Sequence, residues 1–131
     1  MSHKKRPVLL CLDLEAGSEE LTRQGARYAK HLGGPLHVLY VMPNSSTEEE
    51  GAALARLKLL TESTEANTFA VRRGPAEDQI VEYISEHAVE IVILGHRHKE
   101  KRERVYVGST VKTVISLAPG PVLVVPIDSE G

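Results

Sequence analysis

The sequence has few features of a membrane, secreted or disulfide-bonded protein. No apolar run approaches the roughly 18 residues that a membrane span requires. The apolar stretch after the basic start ends at Asp13 and is too short for a signal peptide. Cys11 is the single cysteine of the chain, so it forms no internal disulfide and no zinc site with other cysteines. We therefore expect a cytoplasmic protein.

An excess of charge of one sign is also missing. The chain carries 16 Lys and Arg against 18 Asp and Glu, for a net charge of −2. That balance argues against bulk binding to nucleic acid or to anionic membranes. With 131 residues, 41% hydrophobic and 26% charged, the chain has the size and composition of one globular domain, residues 1–131.

Short apolar runs alternate with segments of helical periodicity. The runs lie at residues 7–14, 35–42, 69–71, 90–94 and 122–125. They are almost continuously apolar, which is typical of parallel strands that are covered on both faces. Four helical segments separate them, so the order βαβαβαβαβ predicts an α/β domain with a mostly parallel, doubly wound sheet.

The ends of the helices carry recognisable signals. Ser18 is the predicted N-cap of the first helix, and Gly33 is its predicted C-cap. Thr47 and Glu50 have the spacing of a capping box for the second helix. Pro119 is expected to stop the fourth helix.

Two common nucleotide motifs are absent. No GxGxxG follows the first strand, and GxxxxGK[ST] does not occur in the chain. An ordinary dehydrogenase and a Walker-type ATPase are therefore disfavoured.

A ligand site is nevertheless expected at the carboxyl ends of the strands, where open α/β sheets bind their ligands. The informative segment begins at Gly95 and reaches Gly108, Ser109 and Thr110 at the start of a helix. A helix N-terminus attracts phosphate, a glycine permits close approach, and hydroxyls add donors. The alternative is that Gly108 only makes a turn and Ser109 only caps the helix.

Together these residues resemble the universal stress protein family, whose pattern G-x2-G-x9-G-[ST] lies between its fourth strand and fourth helix. Gly95, Gly108 and Ser109 fit that frame, but His98 stands where the second glycine belongs. The segments VRRGP at 71–75 and APGPVLVVP at 118–126 also resemble the family, and the likeness covers about residues 6–127.

The resemblance implies a Rossmann-like fold with strand order 3-2-1-4-5 and an adenine nucleotide, ATP, ADP or AMP, as ligand. Asp13 then contacts the ribose or adenine end, and the backbone at Val41 lines the adenine pocket. The resemblance also implies that the glycine-rich segment binds the phosphates, at Gly95, Gly108, Ser109 and Thr110. Mg²⁺ is expected to arrive with the phosphates and not on a protein-only metal site.

His98 is the departure from the family pattern. If the family glycine needs a positive φ, a histidine there costs about 1–2 kcal/mol of strain, although histidine tolerates that region better than most side chains. Alternatively, its imidazole itself donates to a phosphate. The open question is whether this substitution preserves binding or leaves a dimeric interaction module of the same fold that binds no nucleotide.

The segment after Arg97 is rich in cations, with Lys99, Lys101, Arg102 and Arg104. Arginine makes forked contacts to phosphate, which favours a clamp on a triphosphate through Arg97 and this segment. An RNA-contacting patch and a merely solvated loop are the alternatives. Tyr106 is the one aromatic residue nearby, which weakens the RNA interpretation.

Two further predictions concern activity and assembly. Asp13 is the one carboxylate with an argued place in the site, and a ribose-binding aspartate lies too far from a γ-phosphate to act as base. We therefore expect binding without efficient turnover, with slow ATP hydrolysis as the alternative. The apolar last strand, residues 122–125, is expected to lie at the sheet edge and to pair with a second copy in a homodimer.

Overall fold

The computed structural model describes residues 5–98 and 108–128, without the side chains of His98 and Asp128. Its nine elements, in chain order, are β1 (Val8–Leu12), α1 (Ser18–Leu32), β2 (Leu36–Met42), α2 (Glu50–Leu60), β3 (Thr68–Arg73), α3 (Ala76–His87), β4 (Ile91–His98), α4 (Ser109–Leu117) and β5 (Val122–Asp128).

The five strands form one sheet in the order β3-β2-β1-β4-β5, and each neighbouring pair is parallel. This confirms the predicted fold class and strand order. The central strand β1 is buried on both faces, as its apolar sequence predicts, because successive side chains point to opposite sides.

Two separate layers of helices cover the sheet. Leu10 of β1 belongs to one apolar cluster with Leu21 of α1 and Leu57 of α2. Its neighbour Leu9 belongs to the opposite cluster, which contains side chains of α3 and α4, among them Tyr83. The chain therefore changes faces between β1 and β4. In doubly wound sheets the carboxyl side of such a switch is where a ligand crevice opens.

Several strands differ in length from the sequence prediction. β1 ends at Leu12 and not at residue 14, because Leu14 has a φ of 60° and the chain has already turned. β4 continues four residues past Leu94, and β5 continues to Asp128. The extension of β5 pairs with that of β4, from His96 with Pro126 to His98 with Asp128.

Two of the predicted caps are wrong. Gly17, with a φ of 92°, caps α1, and Ser18 is the first helical residue. Residue 49 occupies the cap position of α2 without a side-chain bond, so Thr47 and Glu50 form no capping box. By contrast Gly33 ends α1 as predicted, with a φ of 76° and its N–H donating to the Ala29 carbonyl. Within the described residues no helix combines the length and the apolar character that crossing a membrane requires.

Candidate functional site

The carboxyl edge of the sheet brings together the ends of β1 and β4. Asp13 directly follows β1, and Arg97 is the penultimate residue of β4. Although 84 positions separate them in sequence, their side chains meet across the point where the chain changes faces. The site that follows is built around this pair.

The Asp13 carboxylate accepts hydrogen bonds at both oxygens. Nη1 of Arg97 donates to Oδ2, and Nη2 donates to Oδ1 over 2.7 Å. Oδ1 also accepts the Glu15 N–H at 3.0 Å and the Ser18 hydroxyl at 3.4 Å. An aspartate that binds the N–H two residues ahead stabilises a tight turn, so this carboxylate also orders the loop between β1 and α1.

Arg97 fastens that same loop from the neighbouring strand. Besides its fork on Asp13, its Nε donates to the Ala16 carbonyl over 3.0 Å. Desolvation alone raises the pKa of the Asp13 carboxyl, but the hydrogen bonds from Arg97 and Glu15 outweigh it and hold this pKa below its ordinary value. The bond to Asp13 raises the pKa of Arg97. Both groups are therefore charged at neutral pH.

Gly95 has a packing role that the sequence did not indicate. A Cβ at this position would lie 2.8 Å from Cδ2 of Leu21 and 3.0 Å from Cδ1 of Ile127. The glycine thus lets α1 and β5 approach the end of β4 closely. Its assignment to phosphate binding stays a prediction.

The start of α4 has no side-chain cap within the part of the chain that the structure describes. Gly108 is its cap residue, with an ordinary φ of −63° and no side chain to satisfy the first helical N–H groups. Among the described residues nothing lies within 4 Å of a Cβ built at Gly108, so neither crowding by them nor backbone conformation requires a glycine there. Ser109 is exposed and Thr110 is half-buried in the first turn. Ser109 is the first residue of α4 and not its cap, which removes one alternative interpretation of that serine.

Val41 and His98 lie at the same edge on other strands. Val41 is level with Asp13, one position past the Leu12–Tyr40 pair of β1 and β2. His98 is paired with Asp128 as the last residue of β4, so its backbone is extended and the strain expected from a positive φ does not arise. The cations at Lys99, Lys101, Arg102 and Arg104 lie outside the described residues.

Sequence reasoning missed Arg73, the last residue of β3. Its Nη1 donates to the Ser46 carbonyl at 2.9 Å and to the Pro43 carbonyl at 3.3 Å, and its Nη2 donates to the Glu48 carbonyl at 3.1 Å. Arg73 thus orders the loop between β2 and α2 as Arg97 orders the loop between β1 and α1. The available signal was an arginine at the carboxyl end of a strand, opposite a polar loop.

The described residues contain no group of three or more His, Cys, Asp or Glu side chains placed to hold a metal ion. Among the described residues of this edge, Asp13 and Arg97 bring one carboxylate into contact with one guanidinium, and Glu15 adds a negative charge near Arg97. Such a pair can bind hydroxyls on one side and an anion on the other.

A scan against protein-family models decides the family. The model of the universal stress protein family matches residues 5–126. The chain belongs to the universal stress protein family. Solved structures agree in fold. A universal stress protein in complex with cAMP is 16% identical to this chain and gives a TM-score of 0.72. The superposition covers 95% of this chain and 98% of that one.

A second universal stress protein, from Archaeoglobus fulgidus and in complex with dAMP, is 20% identical and gives a TM-score of 0.67, with 93% of this chain and 98% of that chain covered. Among curated proteins, the sensor protein KdpD of Escherichia coli is 34% identical over 99 residues. That match covers 71% of this chain but 11% of KdpD, so this universal stress protein corresponds to a small part of that protein.

Proposed function

We propose that this universal stress protein binds an adenine nucleotide, ATP, ADP or AMP, at the carboxyl ends of β1 and β4, and that it serves as a regulatory protein of the stress response in the cytoplasm. The observation that carries the proposal is the meeting of Asp13 and Arg97 at the switch between the two faces of the sheet. Ligands of open α/β sheets bind at this position.

The chemistry of the edge suits the two ends of a nucleotide. A carboxylate accepts hydrogen bonds from ribose hydroxyls, and a guanidinium forks onto phosphate. The open N-terminus of α4 at Gly108 adds N–H donors and a partial positive charge, and the Ser109 and Thr110 hydroxyls lie in its first turn. The complexes of two fold relatives with cAMP and dAMP support adenine as the base. Mg²⁺ is proposed to enter with the phosphates of ATP.

Efficient hydrolysis is not part of the proposal. A general base works best when its pKa lies near the working pH. In the proposed binding mode Asp13 accepts ribose hydroxyls, which places it too far from a γ-phosphate to act as the base. In this structure the hydrogen bonds from Arg97 and the Glu15 N–H also lower the pKa of its carboxyl. Release of inorganic phosphate from ATP by the purified protein is therefore expected to be slow, and fast release that depends on Asp13 contradicts this part of the proposal.

Two glycines offer a matched test of the binding site. Gly108 and Gly51 both have open space where a Cβ would stand, but Gly108 begins α4 and Gly51 lies in α2. We expect Gly108→Val to abolish ATP binding and Gly51→Val to leave it unchanged, because only the first side chain blocks a phosphate at α4. Equal ATP binding by both variants in equilibrium dialysis shows that the phosphates do not bind at the start of α4.

We further propose a homodimer that forms through residues 122–125 of β5. This strand lies at the edge of the sheet, and its Val122, Leu123 and Val124 are only partly buried. An apolar edge strand readily pairs with a second copy. Light scattering at micromolar concentration should give twice the 14.4 kDa of one chain. A monomer mass contradicts the dimer.

A further inference from the structure

Asp13 and Arg97 are charged partners of each other in this structure. The guanidinium that suits a phosphate is bound to the carboxylate that suits a ribose. The pair spans the carboxyl ends of two adjacent strands, directly over the switch between the faces of the sheet. A nucleotide whose phosphate takes the fork of Arg97, and whose ribose takes the same carboxylate positions on Asp13, therefore separates them.

We propose that Arg97 makes this site select adenine compounds that carry a phosphate over the bare nucleoside, because a phosphate can replace Asp13 as the partner of Arg97 and a neutral nucleoside cannot. The inference rests on the proposed adenine-nucleotide site and adds a rule for which ligands it accepts.

The exchange keeps Arg97 paired with an anion when the ligand has a phosphate. Arginine forks equally well onto a carboxylate and onto a phosphate, so Arg97 gives up one anion and gains another. Asp13 is then released to accept ribose hydroxyls. Adenosine offers no anion, so where its hydroxyls take the carboxylate positions that Arg97 occupies, the guanidinium is left without its charged partner, which is costly.

The surroundings permit this exchange. The Arg97 backbone is fixed by its pairing with Ile127 in β5, but its long side chain is 27% exposed and lies at the protein surface. The Asp13 side chain is 44% exposed. Water already reaches the pair, and movement of Arg97 toward an incoming anion needs no rearrangement of the core.

Asp13 is held in place independently of Arg97. Its Oδ1 accepts the Glu15 N–H at 3.0 Å and the Ser18 hydroxyl at 3.4 Å, and both donors belong to its own loop and helix. Removing Arg97 should therefore free the carboxylate without displacing it. We therefore expect adenosine to bind Arg97→Ala more tightly than wild type, which a merely structural role of Arg97 does not predict.

The test measures binding of adenosine, AMP and ATP by calorimetry to wild type, Arg97→Ala and Arg97→Gln at one fixed salt concentration. Since a partly exposed ion pair contributes up to about 1 kcal/mol, Arg97→Ala is expected to bind adenosine about fivefold more tightly. Loss of a charged phosphate contact should weaken AMP and ATP by about tenfold or more. The preference for nucleotide over nucleoside then falls by about fiftyfold, and Arg97→Gln should show the same direction of change.

Arg6→Ala is the matched control. Arg6 also fastens a loop, through the Ala88 and Val89 carbonyls, but before β4 at the amino edge of the sheet. It should keep the wild-type preference for nucleotides, and thermal unfolding establishes that each variant is folded.

The outcomes separate the two proposals. If wild type binds ATP and the Arg97 variants lose affinity for adenosine and ATP to the same extent, the selection rule is wrong and the nucleotide site stands. If wild type and all variants bind none of the three compounds, the proposed function is wrong and the rule falls with it. Tighter adenosine binding by Arg97→Ala together with weaker ATP binding supports both.

Discussion

Gly95 and Leu21 are in such close contact that a Cβ on the glycine would lie 2.8 Å from Cδ2 of the leucine. The contact joins the end of β4 to α1, the helix whose preceding loop carries Asp13. A glycine in this family position therefore has a structural task here, whatever it does for a ligand.

Gly95→Ala should destabilise the protein by about 1–3 kcal/mol, because the added methyl overpacks a tight contact with Leu21 and Ile127. Urea unfolding measures the change. Gly51→Ala is the control, since its methyl meets nothing within 4 Å and alanine is favoured over glycine inside a helix such as α2, so it should not destabilise the protein. Equal stability of the two variants contradicts the packing role.

Arg73→Ala should loosen the loop between β2 and α2. Three backbone carbonyls lose their donor, those of Pro43, Ser46 and Glu48. We expect faster hydrogen exchange across residues 43–49 and a loss of about 1–3 kcal/mol of stability. Arg56→Ala is the comparison, because Arg56 forks onto the side-chain carboxylate of Glu48 and its removal leaves the three carbonyls bonded to Arg73. Unchanged exchange in Arg73→Ala shows that the loop holds without it.

Stability should fall in mild acid because of His37. Burial, and then the nearby His87, lower the pKa of the His37 imidazole, whose Nδ1 lies 2.7 Å from the Tyr83 hydroxyl. The unfolded chain then binds more protons than the folded protein, so the free energy of unfolding falls as the pH drops below about 6.5.

The check compares urea unfolding at pH 7.5 and pH 5.5. His37→Gln should show a smaller loss between the two pH values, whereas a control at the exposed His31, His31→Gln, should match wild type. Four other charged or titratable groups act on Tyr83: His87 stacks on its ring, Arg72 lies over it, and Cys11 and Glu86 interact with it electrostatically. If His37→Gln loses as much free energy of unfolding between pH 7.5 and pH 5.5 as wild type does, His37 is not the source of the loss.

Cys11 should be inert in the folded protein. Desolvation in β1 raises the pKa of its thiol, so little of the reactive thiolate forms near neutral pH. A disulfide reagent at pH 8 should label the native protein far more slowly than the protein denatured in about 6 M guanidinium. Equal labelling rates place the thiol in contact with solvent.

The sequence predicted the sheet well because its strands are apolar on both faces. The continuous runs around Leu10, Val38 and Ile93 leave few alternatives to a covered parallel sheet, and the glycine at Gly33 stops α1 where it was expected. The end of β4 was missed because Gly95, Arg97 and His98 are not apolar. These residues are extended because β5 pairs with them, and no local pattern reports such pairing.

The sequence singled out the residues of the candidate site but not the contacts between them. Asp13 and Arg97 were each singled out, one for its strand end and one for its charge. Their mutual bond joins residues 84 positions apart, so it depends on the strand order and on the turn at Leu14. The same holds for Arg73, whose partners lie 25 to 30 positions away.

The central claim, that this chain binds an adenine nucleotide, is tested most directly by calorimetric titration of the nucleotide-stripped protein with ATP and Mg²⁺. The account predicts saturable binding near one ATP per chain. The absence of saturable binding by ATP, and equally by AMP, contradicts it and leaves a universal stress protein fold that acts through protein partners.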